Sequence, residues 1–112
     1  MIDVVVKIGD VLDEVADVLI ATANPWLNLS GGVNGAILLR GGQDVQDELH
    51  AHLRAIGKAA VEAGAVVQTC PGPLRVKHIL HAVAIDPFYN SSRETVRLTL
   101  ERALTMAQAL DA

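Results

Sequence analysis

The sequence predicts an α/β layered fold with much of its sheet parallel, and three observations predict it. Apolar, β-branched runs of strand length alternate with stretches whose apolar residues recur at helical spacing. The breaks carry glycine or proline at Gly9, Pro25, Gly41-Gly42, Gly64 and Pro71-Gly72-Pro73. Most connections pass through helices, which calls for right-handed crossovers between parallel strands. The 112 residues form one domain over 1–112, and with 51% of them hydrophobic they can bury a core. Aromatic residues are only 3% of the chain, so that core is built from Val, Leu, Ile and Ala.

Residues 2–8 are nearly continuous and β-branched, as in a strand buried on both faces. Gly9 breaks it, and Asp10 caps one or two helical turns over residues 11–16. Asp10 has a second reading, a carboxylate at a strand end that accepts a hydrogen bond from a ligand. Residues 18–23 form the next strand, ended by Pro25, which removes a donor and holds Asn24 extended. A short helix over 33–40 stops at Gly41-Gly42. A longer one over 44–63 places Val45, Leu49, Leu53, Ile56 and Ala60 on one face and stops at Gly64. Strands follow at 65–69 and 77–85, joined by a turn at Pro71-Gly72-Pro73. After a loop at 86–90, the capping-box pattern Ser91-Ser92-Arg93-Glu94 opens a last helix bearing Val96, Leu100, Ala103, Leu104, Ala107 and Leu110.

The formal charge of −4 and the lack of a basic face argue against a nucleic-acid partner. The single cysteine, Cys70, excludes an intrachain disulfide and a multi-cysteine zinc site, and is read as a small buried hydrophobe. No apolar run approaches the ~20 residues that span a bilayer, and the N-terminus lacks a signal-peptide pattern. A cytoplasmic protein with no membrane partner is the expectation.

The chemistry concentrates in Asn24 to Ala36. Strand, polar turn, paired glycines and helix start follow in that order, which presents main-chain N–H groups to an anion. Gly31 and Gly32 allow φ > 0 and a close approach to phosphate. The helix opening near Val33 adds unsatisfied donors and the positive end of a dipole. Other chemistries fit poorly. His50 and His52 are two apart on a helix, and His78 and His81 three apart on a strand, so neither pair converges on a metal; no metal and no cofactor is expected. His81 is read as hydrogen-bonded within the fold. There is no G-x-S-x-G elbow and no Walker lysine. The Gly31-Gly32-Val33-Asn34-Gly35 run has the look of a dinucleotide fingerprint, but the acid that would bind ribose is missing.

Four blocks, Val6-Lys7-Ile8-Gly9-Asp10-Val11, Asp17 to Asn24, Ser30 to Ile37 and His78-Ile79-Leu80-His81-Ala82-Val83, resemble those of a macro domain, the ADP-ribose-binding module. In that family the blocks run like GDI, DAIVNAAN, GGGVDGAI and IIHAVGP, in this order and spacing. The resemblance implies a three-layer α/β/α sandwich with a mixed, mostly parallel sheet, here without the family's C-terminal strands. It implies that Asp10 accepts from an adenine amino group beside the Val11 backbone. Asn24 would lie near the distal ribose, and Ser30, Gly31, Gly32, Val33 and Asn34 would wrap the diphosphate. Partners would then be an ADP-ribose-type small molecule or an ADP-ribosylated protein, without cofactor.

Two substitutions stand out. Asn34 replaces the aspartate of the hydrolytic branch, and a neutral amide is no general base; Ala21 replaces the first asparagine of the second block. Binding is therefore expected ahead of catalysis. The alternatives are an ADP-ribosyl hydrolase (a deacetylase or de-ADP-ribosylating enzyme) using Asn24 and Asn34, and a degenerate association domain. In the family, the missing strands lie between the first strand and the second, so residues 2–8 would lack ladder partners; the expectation is then a fragment, a homo-oligomer that completes the sheet, or a rearranged sheet.

Overall fold

The structure is a computed structural model, and residues 3–111 are described in it. Strand β1 (Ala16–Thr22) pairs in parallel with β3 (Val76–Ala82), and β3 pairs antiparallel with β2 (Val66–Thr69), so the order is β1-β3-β2. The register sets Leu19 beside Ile79 and Ala21 beside His81, with Val67 on the other side of His81. The sheet is mixed because residues 70–75 are too short for a crossover, which takes about a dozen residues. That stretch instead closes a turn in which Leu74 N–H donates to Pro71 O at 3.1 Å.

Side chains alternate across the strands and divide the core in two. On one face Leu19, Val67, Ile79 and Val83 pack with Ile37 of α1 (Gly32–Leu39) and with Val45, Leu49 and Leu53 of α2 (Gln43–Ile56). On the other, the buried Leu80 and Ala82 meet α3 (Arg93–Asp111), which buries Thr99 and Ala103. Two helical layers around one sheet make the α/β/α sandwich.

Four sequence expectations need correction. Residues 2–8 were expected as a strand; Ile2 lies outside the described residues, and residues 3–8 form none. A strand needs a ladder partner, and among the described residues none lies beside them. The second helix was expected to reach residue 63 but stops at Ile56. Gly57 takes φ +67°, Gly57 N–H donates to Arg54 O and Lys58 N–H to Leu53 O, a Schellman ending that needs this glycine. The expected helical turns over 11–16 shrink to one 3-10 turn, Val11–Asp13, because β1 begins at Ala16. On α3, Val96, Leu100 and Leu104 are half-exposed, and the buried stripe runs through Thr99 and Ala103. Its cap is Ser92, whose Oγ accepts from Thr95 N–H at 3.1 Å, while Ser91 Oγ donates to Ala84 O. No described helix is long and apolar enough to cross a membrane.

Candidate functional site

Where β1 ends the chain turns over Pro25. Leu27 N–H donates to Asn24 O at 3.0 Å, a β-turn. The Asn24 side chain closes on Asn28, with Nδ2 donating to Asn28 O at 2.9 Å and Oδ1 accepting from Asn28 N–H at 3.2 Å. Trp26, within that turn, tilts against Tyr89 at a centroid distance of 5.9 Å.

Past Ser30 the backbone enters a region reserved for glycine. Gly31 stands at φ +65°, ψ 157° and caps α1, and Gly32 follows at φ +51°. The first helical hydrogen bond is Gly35 N–H to Gly31 O at 2.8 Å. The N–H groups of Gly31, Gly32, Val33 and Asn34 therefore have no helical acceptor. Among the described residues none of them donates to another protein group. A Cβ built on Gly31 or Gly32 meets nothing within 4 Å, so this main chain faces open space.

Asn34 behaves differently from its neighbours. It is 8% exposed, its Nδ2 donates to Thr22 O, and its Oδ1 is buried with no donor. An unpaired buried acceptor costs about 1–3 kcal/mol. Residues 22–24, residues 30–34 and Ile85 enclose a cleft of about 350 Å³. The structure thus brings together Asn24, Ser30, Gly31, Gly32, Val33 and Asn34.

Asp10 and Val11 line a separate hollow of about 310 Å³. Asp10 is a cap as expected, its Oδ1 accepting from Leu12 N–H at 2.9 Å. Its Oδ2 pairs with Arg40 at 2.8 Å, and Arg40 also reaches Asp13 at 2.9 Å. The bond to Asp13, foremost, holds the Arg40 pKa above its ordinary value. Arg40 follows α1 directly, so Asp10 sits at the end of the helix whose start carries the glycine loop; eight residues rise about 12 Å. The sequence reading missed Arg40, although a lone arginine ending an apolar helix was a signal. It also missed Gln46, a polar residue beside the apolar stripe of α2.

Another hollow, about 540 Å³, lies between α3 and the approach to β2. Its guanidinium, Arg102, is committed to Gly64 O at 3.0 Å, so volume alone does not mark a site there.

His81 is a core group. Thr69 Oγ1 donates to Cys70 O at 3.1 Å, so at 2.9 Å it accepts from His81 Nε2–H. Nδ1 is then a bare, buried acceptor with no partner. Burial lowers the His81 pKa to about 4, partly opposed by the charge of Glu48. Burial, and then a hydrogen bond to Glu48, push the Cys70 thiol up, which works against thiolate chemistry.

Fold and loop together define a three-layer α/β/α domain with a cleft at the strand ends rimmed by helix-start amides. A family model described as Macro domain matches residues 20–112. An uncharacterized protein of Pyrobaculum aerophilum is 39% identical over 82 residues, covering 73% of this chain and 44% of that protein. A macro domain-containing protein of Listeria monocytogenes is 37% identical over 81 residues, covering 72% and 45%. The structure of the Oceanobacillus iheyensis macrodomain with ADP matches at a TM-score of 0.78 and 24% identity, over 91% of this chain and 55% of that one. A mutant of that macrodomain with ADPR matches at 0.76, over 88% and 55%. This chain belongs to the macro domain family. It spans about half the length of these relatives.

Proposed function

We propose that this domain binds ADP-ribose or a related ADP-ribosyl nucleotide, free or attached to a protein, in the cleft between Asn24 and Asn34. The observation that carries the reading is the run of unpartnered main-chain donors at the start of α1. The N–H groups of Gly31 to Asn34 lack acceptors, which suits a diphosphate. Relatives solved with ADP and with ADPR support the same ligand class. In this reading Asp10 and the Val11 backbone hold the base at the far end of α1.

The cleft is open and the ligand is desolvated from one side, so moderate affinity is expected, with Kd between about 10 µM and 1 mM. Calorimetry with free ADP-ribose tests this. No heat at about 1 mM ligand on protein that unfolds cooperatively would leave the fold standing and remove the function. Hydrolysis is the weaker reading, because Asn34 offers an amide where water activation needs a base.

A second copy of the chain is the protein partner this surface favours. Strand β1 pairs on one side only among the described residues. Val4, Val5, Val6 and Ile8 are exposed at 84, 74, 90 and 105%. A valine-rich segment without a ladder and a strand with an open edge complement each other across two chains. Light scattering at about 100 µM that gives one chain mass would refute this pairing.

A further inference from the structure

The loop that delivers Ser30 to the cleft does not support itself. Leu27 holds a left-handed backbone at φ +55°, which a bulky side chain adopts only where its surroundings over-determine it. Two contacts do so. The Leu27 side chain is buried, and its carbonyl accepts from Gln46 Nε2 at 2.8 Å. The other end of the same amide, Gln46 Oε1, accepts from Leu29 N–H at 2.7 Å. A primary amide carries donor and acceptor side by side, so one glutamine pins both main-chain groups flanking Asn28. Gln46 is itself buried in the first turns of α2, on a helix joined to the end of α1 through Gly42 N–H and Ile37 O.

His50 Nε2 lies 3.0 Å from Gln46 Nε2 and 3.1 Å from Asn28 Oδ1, and a single ring nitrogen serves one of the two, either accepting from the Gln46 amide or donating to Asn28. The main chain of Asn28 is in turn held by the Asn24 amide. Gln46 and Asn24 thus hold the same stretch, residues 27–29, from its two sides.

We propose that Gln46 is the positioning residue of this site: without touching the ligand, it sets where the N–H donors of Gly31 and Gly32 stand by clamping residues 27–29 onto α2. The proposal rests on the reading of the cleft as a nucleotide diphosphate seat. A side chain of equal length without polar atoms would fill the same space and make none of these bonds. Gln46→Met is therefore the direct test, and Gln46→Glu the second. Glutamate keeps the acceptor for Leu29 N–H but turns a carboxylate oxygen towards Leu27 O; protonation restores the donor.

Two measurements apply: amide hydrogen exchange of the ligand-free protein, and calorimetry with free ADP-ribose. Gln46→Met is expected to speed exchange at Leu29 and to weaken ADP-ribose binding, each by about tenfold or more. Gln46→Glu is expected to match that loss near neutral pH and to regain affinity as the pH is lowered towards about 5.5. If Gln46→Met does not fold, the pH profile of Gln46→Glu decides alone. Unchanged exchange at Leu29, affinity within about twofold of the parent, or a Gln46→Glu affinity flat with pH overturns the proposal. Should the parent fail to bind ADP-ribose while Gln46→Met still loosens Leu29, the clamp stands and the ligand assignment falls. Should parent and Gln46→Met bind equally, the ligand assignment stands and the clamp falls.

Discussion

Acidification offers a sharp test of how the core is built, because His81 sits in the central strand with no exposure to solvent. Burial moves its pKa from the ordinary 6.5 to about 4. The unfolded chain therefore takes up a proton near pH 6.5 that the folded chain refuses until about pH 4. Stability from this group is complete above the unfolded value and falls as the pH drops through that window. By linkage the loss is about 2 kcal/mol between about pH 7.5 and 5, and about 3 kcal/mol by about pH 4. For a domain of this size that is a large share of the total.

Urea unfolding at stepped pH, followed by the fluorescence of Trp26 and by circular dichroism, reads the loss directly. His81→Gln keeps a side-chain amide within reach of Thr69 Oγ1 and cannot titrate, so its curve should be flat through the window, whatever its absolute stability. Asp86 acts at lower pH. The Asn90 backbone N–H, foremost, and the Phe88 N–H hold its carboxylate below 3.8, so its contribution goes only once the pH passes under that value. A parent protein whose urea midpoint does not move between about pH 7.5 and 5 would refute the argument. Equal slopes in parent and His81→Gln would refute it too.

The glycine loop gives a paired prediction. Gly31→Ala forces a Cβ onto φ +65°, ψ 157° and should cost about 1–3 kcal/mol, while placing a methyl in the open space where a diphosphate would sit. Gly57→Ala meets similar left-handed strain at the end of α2, with nothing near its Cβ, and should cost about 1–2 kcal/mol. Both should lower the urea midpoint, and only Gly31→Ala should also weaken ADP-ribose binding. A third prediction concerns Asn34, which donates to Thr22 O. Asn34→Asp replaces that donor by an acceptor, so at neutral pH it should destabilise by about 1–3 kcal/mol. An unchanged midpoint would show that the Thr22 bond contributes nothing.

The elements whose signals are local could be read from the chain alone. Pro25 ends β1, Gly31-Gly32 opens α1, Gly41-Gly42 separates α1 from α2, and Pro71-Gly72-Pro73 folds β2 back onto β3. In each case one residue's own dihedral limits decide, and those limits do not depend on what lies across the molecule. The composition of the candidate cleft was legible for the same reason, since Asn24 and residues 30–34 are neighbours in sequence.

Tertiary structure alone decided the rest, because it depends on partners far along the chain. The valines of residues 3–8 have strand propensity, and the resemblance already implied that they lack ladder partners; that no strand forms there is seen only in the structure. Gln46 reads as a solvent-facing helix residue until Leu27 and Leu29 are seen against it. His81 reads as hydrogen-bonded within the fold, but its tautomer and its neutral form follow only from Thr69 and a closed core. A buried polar atom takes its meaning from what surrounds it, and those surroundings exist only once the chain has folded.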